Sequence, residues 1–406
     1  MQEEKALKLT EIDNKDNSSK NFLLGEWCKK YEEVIEKDKF NGFVQEHHWK
    51  NKTKRDKDII YIENLYEELI LHLKNTLNNF HEEKKDDLYW RVIIGPWLQN
   101  YITSLFDKWE TISKFFSENS DNFKMNYFHS DHSLRIFRDF KMFEKNAGYE
   151  NEWNHLIYYN IITDYYLDKV KINKASVIKK ASKDKTTFEI INPNTPVILF
   201  KKLTRKLTPP FLTYIIFLLK IKFNKIVIVD LDVGYKDFLK MCFPLNVIPN
   251  KNNTFLENRI KINHSLYDLN SRKKIFIDKQ PKNQFEDFLY KNIFIDIPIT
   301  YLEGYKIIRK EISPFVTDKK KIILSTFSHL SMDEWKIWIA EMLQRKSKLV
   351  TYMHGGGFVN KYHDFKCSEP NHELKISTKR ISWFKHSDNS SVQLSPLKSI
   401  IFKNIK

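Results

Sequence analysis

The feature that most constrains this fold is a strand–helix–strand run that ends on three glycines. Lys321-Ile-Ile-Leu-Ser-Thr326 has a basic start, an apolar middle and a small polar exit. A helix is predicted from Ser331, with Asp333 and Glu334 in its first turn, where the helix dipole favours carboxylates. Its apolar face is Trp335, Trp338, Ile339, Met342 and Leu343. Leu349-Val-Thr-Tyr-Met353 reads as a second short strand and runs into His354-Gly355-Gly356-Gly357. Strand, helix and strand in this order imply parallel neighbours with a right-handed crossover. Open sheets of this kind bind ligands outside the carboxyl ends of their strands. The chain holds only 9 Gly in 406 residues, so three together at a strand end call for a purpose. They let the backbone turn tightly and offer amides to an anion. His354 can move a proton near neutral pH. Esterases use similar letters for an oxyanion hole, but they also need a G-x-S-x-G elbow, which is absent.

The rest of the chain divides by texture. Residues 1–20 are a polar leader. Residues 21–57 supply a first strand, Asn21 to Gly25, and a loop. Residues 58–185 form a mainly helical block, with Ile59, Ile62, Leu65, Leu69, Leu73 and Leu77 at helical spacing. Residues 186–368 carry further short apolar runs, at Val197–Phe200, Lys225–Asp230, Ile275–Ile277 and Ile293–Ile297, and read as a Rossmann-like domain. Residues 369–406 are polar, with one apolar patch at Ile381–Phe384. The fold class expected is α/β, a Rossmann-like parallel sheet with a large helical insertion.

Several side chains can carry chemistry. Glu26, with Trp27 beside it, follows the first strand; if that strand shares the sheet of Leu349–Met353, Glu26 lies near the glycine bend as a general base. Arg91 can fork a phosphate or carboxylate, and Trp97 can stack on a sugar ring, although core packing is the commoner use of such tryptophans. His47 and His48 are adjacent and point apart in an extended segment, so no shared metal is expected. Asp230-Leu-Asp232 is a weak pattern for a metal–diphosphate site. P-loop and dinucleotide fingerprints are absent, and no metal is expected. The formal charge of +16 suits nucleic acid, anionic lipid or phosphate-bearing substrates, but no nucleic-acid motif accompanies it. Three cysteines far apart fit reduced thiols in the cytoplasm. The longest apolar run, Phe211–Leu219, is short of the about 20 residues of a membrane span.

The segments NFLLGEWCKKY, EHHWKNKTKRDKD, LYWRVIIGPWL, FDKWE, KIILSTFSHL, YMHGGGF and NHELKIS…ISWF together resemble the LIC-type transferase family, first named from a Leptospira locus. The resemblance runs from about residue 21 to 398. Family members occur in bacterial surface-polysaccharide clusters. They look like GT-B glycosyltransferases, with two Rossmann-like domains, and are similar to the glycerophosphotransferases of teichoic acid synthesis. The resemblance implies glycosyl transfer from a nucleotide-activated donor to a glycan or lipid-linked acceptor. It implies no cofactor beyond that donor and no nucleic-acid partner, and it places the chain in the cytoplasm with peripheral contact at the inner membrane. His354 and Glu26 become the catalytic residues, and Gly355, Gly356, Gly357, Arg91, Trp97 and Trp27 the substrate-binding ones. The sequence departs from the family pattern at Phe358-Val359, Thr378 and Trp383-Phe384-Lys385. Members are longer, so the chain is expected to hold the first half of a GT-B fold, with the second domain missing beyond residue 406. A binding remnant without catalysis is the alternative.

Overall fold

The structure is a computed structural model. It describes residues 5–13, 20–29, 42–128, 132–175, 210–231, 233–249, 255–353, 369–383 and 391–395. The chain forms two compact units. The first comprises Met1–Lys180, Ile262–Lys306 and Val359–His372; the second comprises Ala181–Lys261, Ile307–Phe358 and Glu373–Lys406.

In the first unit, strands β1 (Lys5–Lys8), β2 (Lys20–Leu23) and β3 (Gly42–Val44) precede helices α1 (Lys52–His81) and α2 (Asp87–Glu118). Strand β4 (Phe123–Phe128), helices α3 (Phe140–Tyr149) and α4 (Asn151–Tyr165) and strand β5 (Val170–Ala175) follow. All pairings are parallel, in the order β3-β2-β1-β4-β5. The chain winds outward from β1 to β3, then restarts beside β1 at β4. That reversal is a topological switch point, where open α/β sheets leave a crevice for ligands. The long α1–α2 pair is the helical insertion. Asn51 caps α1 by accepting from the Lys54 amide, and Asp86 caps α2 by accepting from the Tyr89 amide. The α1 stripe from Ile59 to Leu77 is buried, as its spacing requires.

In the second unit, α5 (Pro210–Phe223) leads to β6 (Ile226–Ile228). Helix α6 (Gln284–Asp296) belongs to the first unit. Strand β7 (Ile322–Ser325), helix α7 (Asp333–Gln344), strand β8 (Lys348–Tyr352), helix α8 (Glu369–Ile376), and strands β9 (Lys379–Ser382) and β10 (Ser391–Gln393) complete the order. These five strands form a second parallel sheet, β6 to β10 in sequence order. Helix α7 is buried on nearly every side, and even its Lys336–Asp333 ion pair is wholly enclosed. The predicted β7–α7–β8 unit is therefore present as read.

Other expectations need correction. Residues 1–20 are not only a polar leader: β1 lies at the centre of a sheet, but its two apolar residues were too few to signal a strand. The helical block contains β4 and β5. Ile275–Ile277 is irregular, and Ile293–Ile297 falls at the end of α6, which buries Phe285, Phe288, Leu289 and Ile293 at helical spacing. Short apolar runs do not separate helix from strand. The second parallel sheet, expected beyond residue 406, lies between residues 226 and 393. Val197–Phe200 lies outside the described residues.

Candidate functional site

In the second unit, the carboxyl ends of β6 and β7 are tied by one buried carboxylate. Asp230, just past β6, accepts from Ser325 Oγ at 2.7 Å, Thr326 Oγ1 at 2.6 Å, and the amides of Thr326, Phe327 and Ser328 at 3.2, 2.7 and 3.3 Å. The three amides open the short helix Ser328–Ser331, so Asp230 satisfies donors that have no partner within that helix. This use of its oxygens leaves none for the metal–diphosphate role; Asp232 lies outside the described residues. Beyond Ser325 the chain of bonds continues. His329 Nδ1 lies 3.1 Å from Ser325 Oγ, and Nε2 lies 3.1 Å from Glu373 Oε1. Arg380 Nε, on β9, donates to Glu373 Oε2 at 2.7 Å. Burial alone would raise the Glu373 carboxyl, but the hydrogen bond and charge of His329 and the charge and bond of Arg380 outweigh it, so the group titrates below its ordinary value.

Serine, histidine and glutamate in a row have the parts of a hydrolytic triad. Ser325 is fully enclosed, however, and its proton is committed to Asp230. The network instead braces the ends of β6, β7 and β9 around β8. Met353 extends β8 through its amide bond to Ile381 O at 2.9 Å. His354, Gly355, Gly356 and Gly357, next in sequence, lie outside the described residues.

In the first unit, the carboxyl ends of β1, β2 and β3 gather a second group. Past β1, Asp13 accepts from the Leu9 and Thr10 amides at 2.8 and 3.3 Å, and His155 Nδ1 stands 3.3 Å from both Asp13 Oδ2 and Thr10 Oγ1. Past β2, Glu26 is 73% exposed in its side chain and pairs with Lys29 at 2.8 Å. Trp27 is 38% exposed, donates through Nε1 to Leu9 O at 3.3 Å, and lies parallel to Tyr158 and edge-on to His47. A Cβ on Gly25 would stand 2.2 Å from the Trp27 ring, so only glycine lets the ring fold back over the strand exit. Gly25→Ala should therefore cost about 1–2 kcal/mol and swing Trp27 away from Tyr158. Comparing melting and Trp27 fluorescence against Trp27→Phe backgrounds checks this; an unchanged Trp27 environment would refute it. Cys28 is enclosed, and burial pushes its thiol up to about 12, which disqualifies it as a nucleophile.

Past β3, His47 and His48 do not diverge. His47 caps a tight helical turn, His48–Lys50, and the two rings stack 4.6 Å apart, each Nε2 lying 3.0 Å from Asp107 Oδ1. Burial would raise Asp107, but the bonds from both histidines and the charge of Lys108 hold it well below the usual carboxylate range. Lys108 is enclosed over the Trp153 and Tyr158 rings, and burial pulls its ammonium down to about 8 against the pull of Asp107.

Glu26 and Trp27 thus share a site with His47, Tyr158 and His155. Arg91 and Trp97 do not join them. Arg91 forks Glu67 at 2.8 and 3.0 Å beside Tyr66, and sits about 24 Å along α2 from Asp107 at 1.5 Å per residue. Trp97 is wholly enclosed, stacked on Tyr101 and close to Phe143 and Tyr301. Glu26 follows β2 and Met353 follows β8, strands of different sheets, so the shared-sheet premise fails.

The sequence missed the Asp230 network because its partners lie about 100 residues apart. It missed the histidine pair because it took an extended segment where the chain makes a tight turn. Neither curated proteins nor solved structures give a match. The model of the LIC12162 family transferases does match, over residues 5–404, and the chain belongs to that family.

Proposed function

We propose that this transferase moves a glycosyl group from a nucleotide-activated donor to a hydroxyl of a glycan or lipid-linked acceptor in bacterial surface-polysaccharide assembly. The observation that carries the reading is the exit of β2, where an exposed carboxylate, Glu26, adjoins a half-exposed indole, Trp27, at the ligand-binding edge of a switch-point sheet. An indole face suits a sugar ring, and the carboxylate suits a hydroxyl proton. In the reaction, the acceptor oxygen bonds to the anomeric carbon and its proton passes to Glu26 or His354. The bond to phosphate breaks, and the nucleotide departs with the bonding electron pair on its phosphate oxygen.

Two parallel-sheet units agree with a GT-B type of enzyme. No helix among the described residues is long and apolar enough to cross a membrane. Work in the cytoplasm with peripheral contact at anionic lipid belongs to the same proposal, and the net charge of +16 supports that contact.

The test gives the full chain a panel of nucleotide sugars with lipid-linked acceptor and measures released nucleotide. Glu26→Gln and His354→Ala should each lower kcat, by about 100-fold or more where the residue takes the proton. Absence of specific binding to any nucleotide sugar would overturn the reading. Undiminished turnover in either variant would remove that residue from the reaction.

A further inference from the structure

The turn after β3 holds a second arrangement that sugar transfer does not use. Helix α1 presents Lys54 and Asp58 four residues apart, helix α2 presents Asp107 and Glu110 three apart, and His48 lies between them with its side chain fully enclosed. The His48 ring is oriented by Asp107. Nε2 lies 3.0 Å from Asp107 Oδ1, and a carboxylate only accepts, so the proton sits on Nε2. The lone pair of Nδ1 then points the other way. Nδ1 is buried with no hydrogen-bond partner among the described residues; Asp58 Oδ2, at 4.0 Å, is beyond hydrogen-bond reach.

A buried lone pair facing two carboxylates is a set of electron-pair donors around a place for a cation. The Lys54 ammonium sits against both carboxylates, at 2.6 Å from Glu110 Oε2 and in closer contact with Asp58, but makes no bond to His48. Its side chain is 35% exposed and can withdraw to water. Trp49 Nε1 steadies Asp58 from outside at 2.9 Å.

We propose that His48 Nδ1, Asp58 and Glu110 bind a divalent transition-metal cation, with Asp107 as the outer carboxylate that fixes the imidazole and Lys54 as the competing cation. One donor atom from each of the three lies within 4.8 Å of the others, and small rotations of the two carboxylates bring them to the about 2.0–2.2 Å of metal bonds. One imidazole with two carboxylates suits zinc, cobalt, iron or manganese better than calcium or magnesium. A histidine whose far nitrogen is held by a carboxylate is the usual second layer of such sites. His47 is not a ligand, because its Nδ1 accepts the Trp49 amide at 3.1 Å and its Nε2 proton faces Asp107.

The test titrates chelator-stripped full chain with Co2+, read by visible absorption, and with Zn2+, read by calorimetry. One equivalent should bind. Glu110→Gln should weaken binding by about 10-fold or more, and Lys54→Met should tighten it by a similar factor because the competing ammonium is gone. The Lys54→Met result is the sharper one, since a merely structural role for Lys54 gives no gain. No stoichiometric binding of either ion, or affinity that stays the same in Lys54→Met, overturns the site. Circular dichroism verifies that each variant is folded, and if Glu110→Gln is not, Lys54→Met decides alone.

Discussion

Asp230→Ala is expected to destabilise the second unit by about 3–5 kcal/mol. The residue is 8% exposed, and its carboxylate receives five hydrogen bonds from four consecutive residues, Ser325 to Ser328. Alanine removes all five acceptor contacts and fills none of the space. Ser325 is wholly enclosed and Thr326 nearly so, so their hydroxyls cannot turn to bulk water. Each donor left without a partner costs about 1–3 kcal/mol, and partial relaxation of the turn keeps the sum below the full product. The loss is a large share of the about 5–15 kcal/mol that holds a typical domain. Asp230→Asn keeps the volume but points amide hydrogens at amide donors, so it should lose at least about 2 kcal/mol. Urea unfolding gives the size of the effect, and hydrogen exchange at residues 326–331 localises it. A loss below about 1 kcal/mol for Asp230→Ala would mean that the turn is held by something else.

How far this was legible from sequence depends on the range of each interaction. Local periodicity carried the α1 stripe, the acidic first turn of α7 and the strands β7 and β8, because each signal lies within one element. It failed at β1, where Leu7 and Leu9 are deeply buried but flanked by Lys5, Lys8 and Thr10, and it failed at Ile293, where a helix end looked like a strand. Site residues fared by the same rule. Glu26 and Trp27 stand at a strand exit, as their position after Asn21–Leu24 suggested. Trp97 and Arg91 are determined by partners far along the chain: Tyr301 and Phe143 enclose the indole, and Glu67 takes the guanidinium. No spacing rule within Trp90–Leu98 encodes those partners. The convergence of His47 and His48 on Asp107 likewise rests on a contact across 60 residues.

Glu373→Gln should show the second large effect, about 3–5 kcal/mol at neutral pH, and should show it only where the native carboxyl is ionised. Glu373 is the shared partner of two enclosed groups, His329 and Arg380, which are 0% and 1% exposed. An arginine cannot shed its charge, so the substitution replaces the charged acceptor of the buried Arg380 Nε–H with a neutral amide. The native carboxyl titrates below its ordinary 4.5, because the hydrogen bonds and charges of His329 and Arg380 exceed the cost of burial. A carboxyl depressed in the folded state binds fewer protons there than in the unfolded chain. Stability therefore rises with pH across that interval, is complete above about pH 4.5, and drains away as pH falls through the folded value. Glutamine has no such titration. The gap between the native chain and Glu373→Gln should stay constant from pH 8 to about pH 5 and then narrow on acidification. Urea midpoints measured at intervals across that range test the claim. A gap that holds its full size down to about pH 3, or that opens only above pH 6, would show that the Glu373 charge is not what secures His329 and Arg380 at the strand ends.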